Sequence, residues 1–181
     1  ASDLEIEGDR LKAGDIAVWD LPEPYIDDDM VYTNACDDLA AAAAALEALD
    51  ELRGSEAFDR VRLLFTRAEE VGFVGATAAC RLDTIAPGAR LLALENSRSF
   101  PESPIGGGPI VRVGDKASTF SPTLTAAVSA TAAKLAKDDE SFQFQRKLMA
   151  GGTCEATVFC AYGPDSTCIC LPLGAYHNMA E

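Results

Sequence analysis

Two adjacent glutamates, Glu69 and Glu70, follow an apolar run at 61–66 and precede a turn that contains Gly72 and Gly75. The apolar run predicts a strand, and ligands of sheets with crossover connections bind beyond the C-terminal ends of the strands. Neighbouring side chains on an extended backbone point to opposite sides, so one glutamate could hold a metal ion while the other faces a substrate. Such a pair is also typical of a solvated acidic loop, and other residues must decide between the two interpretations.

Three further residues of the same chemistry lie at the ends of other predicted elements. Asp37 begins an alanine-rich helix, Glu95 follows an apolar strand near 91–94, and His177, the only histidine of the chain, follows the last strand. Carboxylates and imidazole are the usual oxygen and nitrogen ligands of catalytic zinc. Two divalent ions about 3.5–4 Å apart can share a bridging carboxylate and activate water. A hydrolytic metal centre is therefore one hypothesis.

Two other hydrolytic chemistries fit less well. A glycosidase needs two carboxyl groups about 5–9.5 Å apart on either side of a bond, whereas the side chains of Glu69 and Glu70 diverge. A serine or cysteine triad needs a base beside its nucleophile, and nothing in the spacing around His177 marks a nucleophile.

The elements that must position these residues alternate between strand and helix. This alternation predicts a three-layer α/β sandwich with a mixed, largely parallel sheet, together with a short N-terminal β hairpin. The acidic run at 27–29 and the glycines at 106–108 are expected in loops. In chain order, the predicted elements are a hairpin at 4–19, a helix at 37–49, strands at 61–66 and near 91–94 with a short helix at 69–80 between them, helices at 121–137 and 151–162, and a strand at 167–171.

Composition narrows the class of protein. At 181 residues the length suits one domain, and 15 basic against 29 acidic residues give a net charge of −14. That charge repels nucleic acid and anionic membrane surfaces, and neither a membrane span nor a signal pattern is present. The sequence predicts a soluble, cytoplasmic protein with no nucleic-acid or membrane partner, and its six cysteines are expected to be reduced and buried. Since the chain begins at Ala1 without a methionine, we expect it to be a piece of a longer protein.

A resemblance emerges from six motifs taken in order. They are Asn34-Ala35-Cys36-Asp37-Asp38-Leu39, the stretch 65–76, Leu94-Glu95, Gly106-Gly107-Gly108-Pro109, Gly151-Gly152-Thr153 and Tyr176-His177-Asn178. Together they resemble the motifs of the glutamyl aminopeptidase and tetrahedral aminopeptidase family, whose members are co-catalytic dizinc exopeptidases.

The resemblance implies a role for each candidate residue. Asp37 would bridge two metal ions, Glu69 would be the general base, Glu70 and His177 would bind one metal, and Glu95 would bind the other. It also implies a zinc-exopeptidase-like fold, two zinc ions in the complete enzyme with cobalt or manganese as alternatives, and a cis peptide after Asp37.

The same resemblance implies a domain organisation. Residues 1–30 would be the remnant and connection of the family's inserted β-rich oligomerisation domain, and residues 31–181 would be the catalytic domain. A homo-oligomer is the expected state.

Departures from the family pattern bear on activity and specificity. The chain has no upstream His-x-Asp segment, which supplies the family's other ligand histidine. Gly152-Thr153 is followed by Cys154-Glu155 where the family has Asp-Ala, and Gly174 replaces an arginine. Both changes are expected to affect substrate preference.

Three functions remain open at this point. The first is a metal-dependent aminopeptidase that acts on peptides, perhaps in truncated form. The second is a non-catalytic or assembly module that keeps the peptidase fold, and the third is a dizinc deacylase or amidohydrolase.

Overall fold

The structure of the protein is a computed structural model that describes residues 12, 14–16 and 20–177. The chain divides into two compact units, Ala1–Asn34 and Ala35–Glu181. Most of the hairpin predicted at 4–19 lies outside the described residues.

The first unit contains an antiparallel hairpin of strands β1 (Tyr25–Asp27) and β2 (Met30–Tyr32). Its turn is formed by Asp28 and Asp29, which both have positive φ, 47° and 62°, as two-residue type I′ turns require. The rings of Tyr25 and Tyr32 stack across the strands with centroids 4.6 Å apart. The acidic run that was predicted to be a plain loop therefore forms the turn of a hairpin.

The second unit alternates helices and strands largely as predicted. None of its described helices is long and apolar enough to cross a membrane. The predicted start of the longest helix is confirmed, because Ser121 Oγ accepts the backbone N–H of Leu124 at 3.3 Å and a proline follows the cap. The elements are α1 (Cys36–Glu51), a 3₁₀ turn (Phe58–Arg60), α2 (Val74–Arg81), β3 (Arg90–Arg98), β4 (Ile110–Gly114), α3 (Pro122–Asp138), β5 (Gln145–Leu148), α4 (Glu155–Tyr162) and β6 (Asp165–Leu173).

Four of these strands form one sheet in the order β3-β6-β4-β5. The pairs β3/β6 and β4/β5 are parallel, and β4/β6 is antiparallel. The predicted mixed, largely parallel sheet is confirmed.

Helices cover both faces of this sheet. On β6, the hydroxyl of Thr167 bonds to Thr125 of α3 at 2.7 Å, while the next residue, Cys168, packs in the core with Ala156 of α4. Successive residues of a strand point to opposite faces, so α3 and α4 lie on opposite sides. The predicted three-layer α/β architecture is confirmed.

Three details of the strand prediction are wrong. Residues 61–66 form no strand, because an apolar run becomes a strand only where a partner backbone lies opposite it, and no described residue pairs with this run. Glu95 lies inside β3, which continues to Arg98. The short strands β4 and β5 were not predicted at all.

Asp115 joins the end of β4 to the start of α4. It is 7% exposed, and Oδ1 accepts the backbone N–H groups of Ala117 and Ser118 at 2.8 and 2.9 Å. Oδ2 accepts the backbone N–H of Cys154 at 3.0 Å and the hydroxyl of Thr157. One buried carboxylate therefore fixes the position at which α4 begins.

Replacing Asp115 by alanine should lower the free energy of unfolding by about 3 kcal/mol, because it leaves buried donors without acceptors. Urea unfolding measures the loss. Asp139→Ala is the matched control, since Asp139 accepts similar turn hydrogen bonds from Ser141 but is exposed and should change stability much less. Equal losses in the two variants would contradict this role of Asp115.

Candidate metal centre

Asp37 lies where the chain enters α1, in a short non-helical segment. The peptide between Asp37 and Asp38 is cis, as the resemblance implied, and neither residue has helical φ and ψ. The buried side chain of Asn96, on β3, donates from Nδ2 to the carbonyl of Cys36 at 2.6 Å and to Oδ1 of Asp38 at 3.1 Å. Strand β3 therefore fixes the segment that carries Asp37.

Glu69 and Glu70 lie in a tight turn that leads into α2. The backbone N–H of Gly72 donates to the carbonyl of Glu69 at 3.0 Å, and that of Gly75 donates to the carbonyl of Arg67 at 3.0 Å. A Cβ on Gly75 would lie 2.6 Å from the backbone nitrogen of Arg67, so only glycine allows this close approach. Within the turn, Glu69 is half-buried and Glu70 is exposed, which gives the two neighbours different environments.

His177 follows β6, and its side chain contacts Asp37 at the start of α1. Its ring stacks on that of Tyr176, with centroids 3.9 Å apart. Its Nε2 lies 3.1 Å from Oδ2 of Asp37, although 140 positions separate the two residues. The end of β6 and the start of α1 therefore meet at this point.

Asp37, Glu70 and His177 form one group of candidate metal ligands. Each offers one donor atom, and these atoms all lie within 4.8 Å of one another. Two carboxylate oxygens and one imidazole nitrogen suit a catalytic zinc site. The side chain of His177 is 53% exposed and that of Asp37 is 23% exposed, so the group is open to solvent.

Glu95 lies in a second, inner group instead. Its Oε1 forms an ion pair with Nη1 of Arg112 and accepts from the Cys170 thiol at 3.9 Å. Donor atoms of Glu95, Cys168 and Cys170 lie within 4.8 Å of one another. Burial raises the pKa of Glu95, and the charge of Arg112 opposes that rise. Glu95 thus groups with other donor atoms than Asp37, Glu70 and His177 do, although the charge of Asp37 also acts on it.

Further carboxylates lie around the first group, Asp37, Glu70 and His177, which we call the outer group. Burial raises the pKa of Glu69 to about 7, and the charges of Glu70, Glu155 and Asp37 add to the rise. Burial and the charge of Asp37 likewise raise the pKa of Asp38 to about 7. A carboxyl group with a pKa near neutrality can both accept and release a proton under physiological conditions.

Sequence reasoning missed three residues that shape the site. Asn96 positions the entry to α1, Arg112 pairs with Glu95, and Glu155 accepts a hydrogen bond from the Thr66 hydroxyl while adding charge near Glu69. A signal existed for Arg112, which is a charged residue within an apolar strand, and for Glu155, which was recognised as a departure from the family pattern. No local signal identified Asn96.

All six cysteines are free, and Cys154, Cys168 and Cys170 are buried. Burial raises the pKa of the Cys168 thiol well above its ordinary value, which keeps it protonated. The prediction of burial holds for these three residues, whereas Cys36, Cys80 and Cys160 are half-buried.

In metal-free protein, stability should fall as pH rises from about 4.5 to 7. The pKa of Glu69 is about 7 in the folded chain against an ordinary value of 4.5, so its favourable contribution is complete below 4.5 and is lost as pH rises through 7. Thermal melts in EDTA measure the effect. Between pH 4.5 and 7, the melting temperature of Glu69→Gln should fall by a few degrees less than that of wild type. An equally steep fall in Glu69→Gln would contradict the assigned pKa.

Solved structures share this fold. The TET1 peptidase of Pyrococcus horikoshii aligns with a TM-score of 0.64 and 23% identity over 82% of this chain and 43% of its own. Aminopeptidase APDkam598 of Desulfurococcus kamchatkensis aligns with a TM-score of 0.63 and 20% identity over 82% of this chain and 42% of its own. The TET aminopeptidase of Thaumarchaeota archaeon SCGC AB-539-E09 aligns with a TM-score of 0.57 and 22% identity over 76% of this chain and 40% of its own. The chain thus spans less than half the length of these structures, and at such identities the likeness establishes the fold alone.

A search of curated proteins finds no match. The sequence profile described as M42 glutamyl aminopeptidase matches residues 2–181, almost the whole chain. This chain therefore belongs to the M42 glutamyl aminopeptidase family.

Proposed function

We propose that this chain carries the catalytic centre of a metal-dependent aminopeptidase, which removes N-terminal residues from peptides. The observation that carries the proposal is the convergence of Asp37, Glu70 and His177, with the charge of Glu69 close by. Membership of the family supports the reaction class.

The three converging residues fit one divalent ion. Asp37, Glu70 and His177 supply three protein ligands, the number typical of catalytic zinc, and leave a further coordination position for water or substrate. When bound, the ion supplies a Lewis acid that polarises the scissile carbonyl and makes water easier to deprotonate. Zinc is the ion we propose, and cobalt or manganese could use the same donors.

The second zinc ion implied by the resemblance would bind Asp37 and Glu95. The described residues do not fit it, because the Glu95 carboxylate pairs with Arg112 and groups with Cys168 and Cys170. The reaction proposed for this chain therefore uses a single ion.

Glu69 is the proposed general base. Its carboxylate would accept a proton from the attacking water and then donate it to the amine that leaves. A glutamate side chain is a suitable group for both transfers. The exposed neighbour Glu70 is left free to bind metal.

Surplus negative charge around the site favours substrates with a free N-terminus. The carboxyl groups of Asp38, Glu69 and Glu155 interact electrostatically with one another, and together they would attract the ammonium group of a peptide. An N-acylated substrate lacks that charge. This difference distinguishes an aminopeptidase from a deacylase on the same scaffold.

We also propose that the chain assembles with copies of itself. The P. horikoshii TET1 peptidase can assemble into a tetrahedron or a large octahedral shell. Since this chain shares that fold, a homo-oligomer is the state we expect of the protein.

Two adjacent isosteric variants test the proposal. Glu70→Gln should weaken zinc binding by about 100-fold, because it removes a ligand, whereas Glu69→Gln should leave the affinity unchanged within about threefold. Glu69→Gln should instead lower the hydrolysis of an aminoacyl anilide by about 10²–10⁴-fold, since it removes the base. Isothermal titration calorimetry and the anilide assay measure the two effects.

Equal effects of the two variants on zinc affinity would contradict the division of roles between the neighbours. Faster hydrolysis of N-acylated amino acids than of free-amine substrates would favour the deacylase. Tight zinc binding without hydrolysis of either substrate class would favour the non-catalytic module.

A further inference from the structure

Arg112 is an unusual residue for the interior of a sheet. It lies on β4, is 1% exposed, and is opposite Cys168 in the antiparallel pairing with β6. From there its guanidinium reaches past β6 to Glu95 of β3, where Nη1 forms an ion pair with Oε1. A positive charge is therefore fixed directly against the carboxylate expected to bind a metal ion.

The other guanidinium donors lack acceptors. Among the described residues, neither Nε nor Nη2 of Arg112 has a hydrogen-bond partner. The nearby thiols of Cys154, Cys168 and Cys170, whose charges would interact with Arg112 if ionised, are fully buried. A guanidinium keeps its charge at all accessible pH values, and a buried charge is costly unless it is paired. Glu95 is thus the carboxylate that makes burial of Arg112 tolerable.

This pairing has a consequence for the binding of cations. An ion at Glu95 would lie beside the guanidinium, and like charges at short range repel strongly where the dielectric constant is low. The same repulsion acts on an ion held by Glu95 with Cys168 and Cys170, the second group of donor atoms. The negative charge of Glu95 is already neutralised before any metal arrives.

We propose that Arg112 takes the place of the second cation, so that Glu95 pairs with a guanidinium and the centre holds a single metal ion. The proposal rests on the proposed function for the first ion, at Asp37, Glu70 and His177. Glu95 is then a charge-pairing residue and not a metal ligand. Arg112 is a positioning residue that leaves one side of the site electrostatically neutral.

Zinc stoichiometry measured by native mass spectrometry and calorimetry tests this inference on the 181-residue chain. Wild type should bind one ion, and Glu95→Gln should bind one ion with an affinity within about threefold of wild type. Arg112→Met should gain a second, weaker ion, because it frees the Glu95 carboxylate. If Arg112 only stabilised the fold, Arg112→Met would still bind one zinc ion.

Either single variant leaves a buried group unpaired and should lower the melting temperature, by on the order of 10 °C. The double variant Glu95→Gln/Arg112→Met removes both charges, so it should melt above both single variants and bind one ion. If a single variant fails to fold, the double variant decides: one ion at wild-type affinity supports the proposal.

Two tight ions in wild type, one of which is lost in Glu95→Gln or in the double variant, would overturn the inference. Failure of the proposed function gives a different result. In that case His177→Ala would bind zinc as tightly as wild type, whatever the outcome at Glu95.

Discussion

Mutual repulsion among carboxylates is the constraint that this site has to satisfy. The chain carries a net charge of −14, and five acidic residues that influence one another electrostatically are gathered around the candidate centre: Asp37, Asp38, Glu69, Glu70 and Glu155. Such a group is stable only if protons, neutral donors or cations offset the charge. The residues around the site provide each of these.

Neutral donors hold part of the group in place. The amide of Asn96 binds Asp38, and the hydroxyl of Thr66 binds Glu155. Asp115 fixes the start of α4, from which Glu155 projects. These contacts join segments that are distant in sequence, and they hold the carboxylates close together.

The two groups of donor atoms differ in what lies beside their carboxylates. In the outer group, Asp37 and Glu70 meet the imidazole of His177 and are open to solvent. In the inner group, Glu95 meets the buried guanidinium of Arg112. One carboxylate is therefore assigned to an internal cation, and the others are available to an external one. This division suits a centre in which a single exchangeable ion binds beside a proton carrier.

Many helices and strands can be predicted from local sequence, but the strand that each strand pairs with cannot. The start of α3 is encoded by Ser121 and Pro122, and the alanine-rich stretch of α1 has its own helix propensity. The run at 61–66 has the composition of a strand but no partner among the described residues, and strand pairing is a non-local property. Motif order placed Asp37, Glu70 and His177 together, as the structure does. The ion pair of Arg112 with Glu95 depends on the strand order β3-β6-β4, which local pattern does not encode.

X-ray absorption spectroscopy at the zinc edge tests the central claim most directly. The chain loaded with one equivalent of zinc should show only nitrogen and oxygen ligands at about 2.0–2.2 Å, with the outer-shell scattering of one imidazole. That pattern places the ion at Asp37, Glu70 and His177. A sulfur ligand at about 2.3 Å would place the ion at Cys168 and Cys170 and would contradict the account.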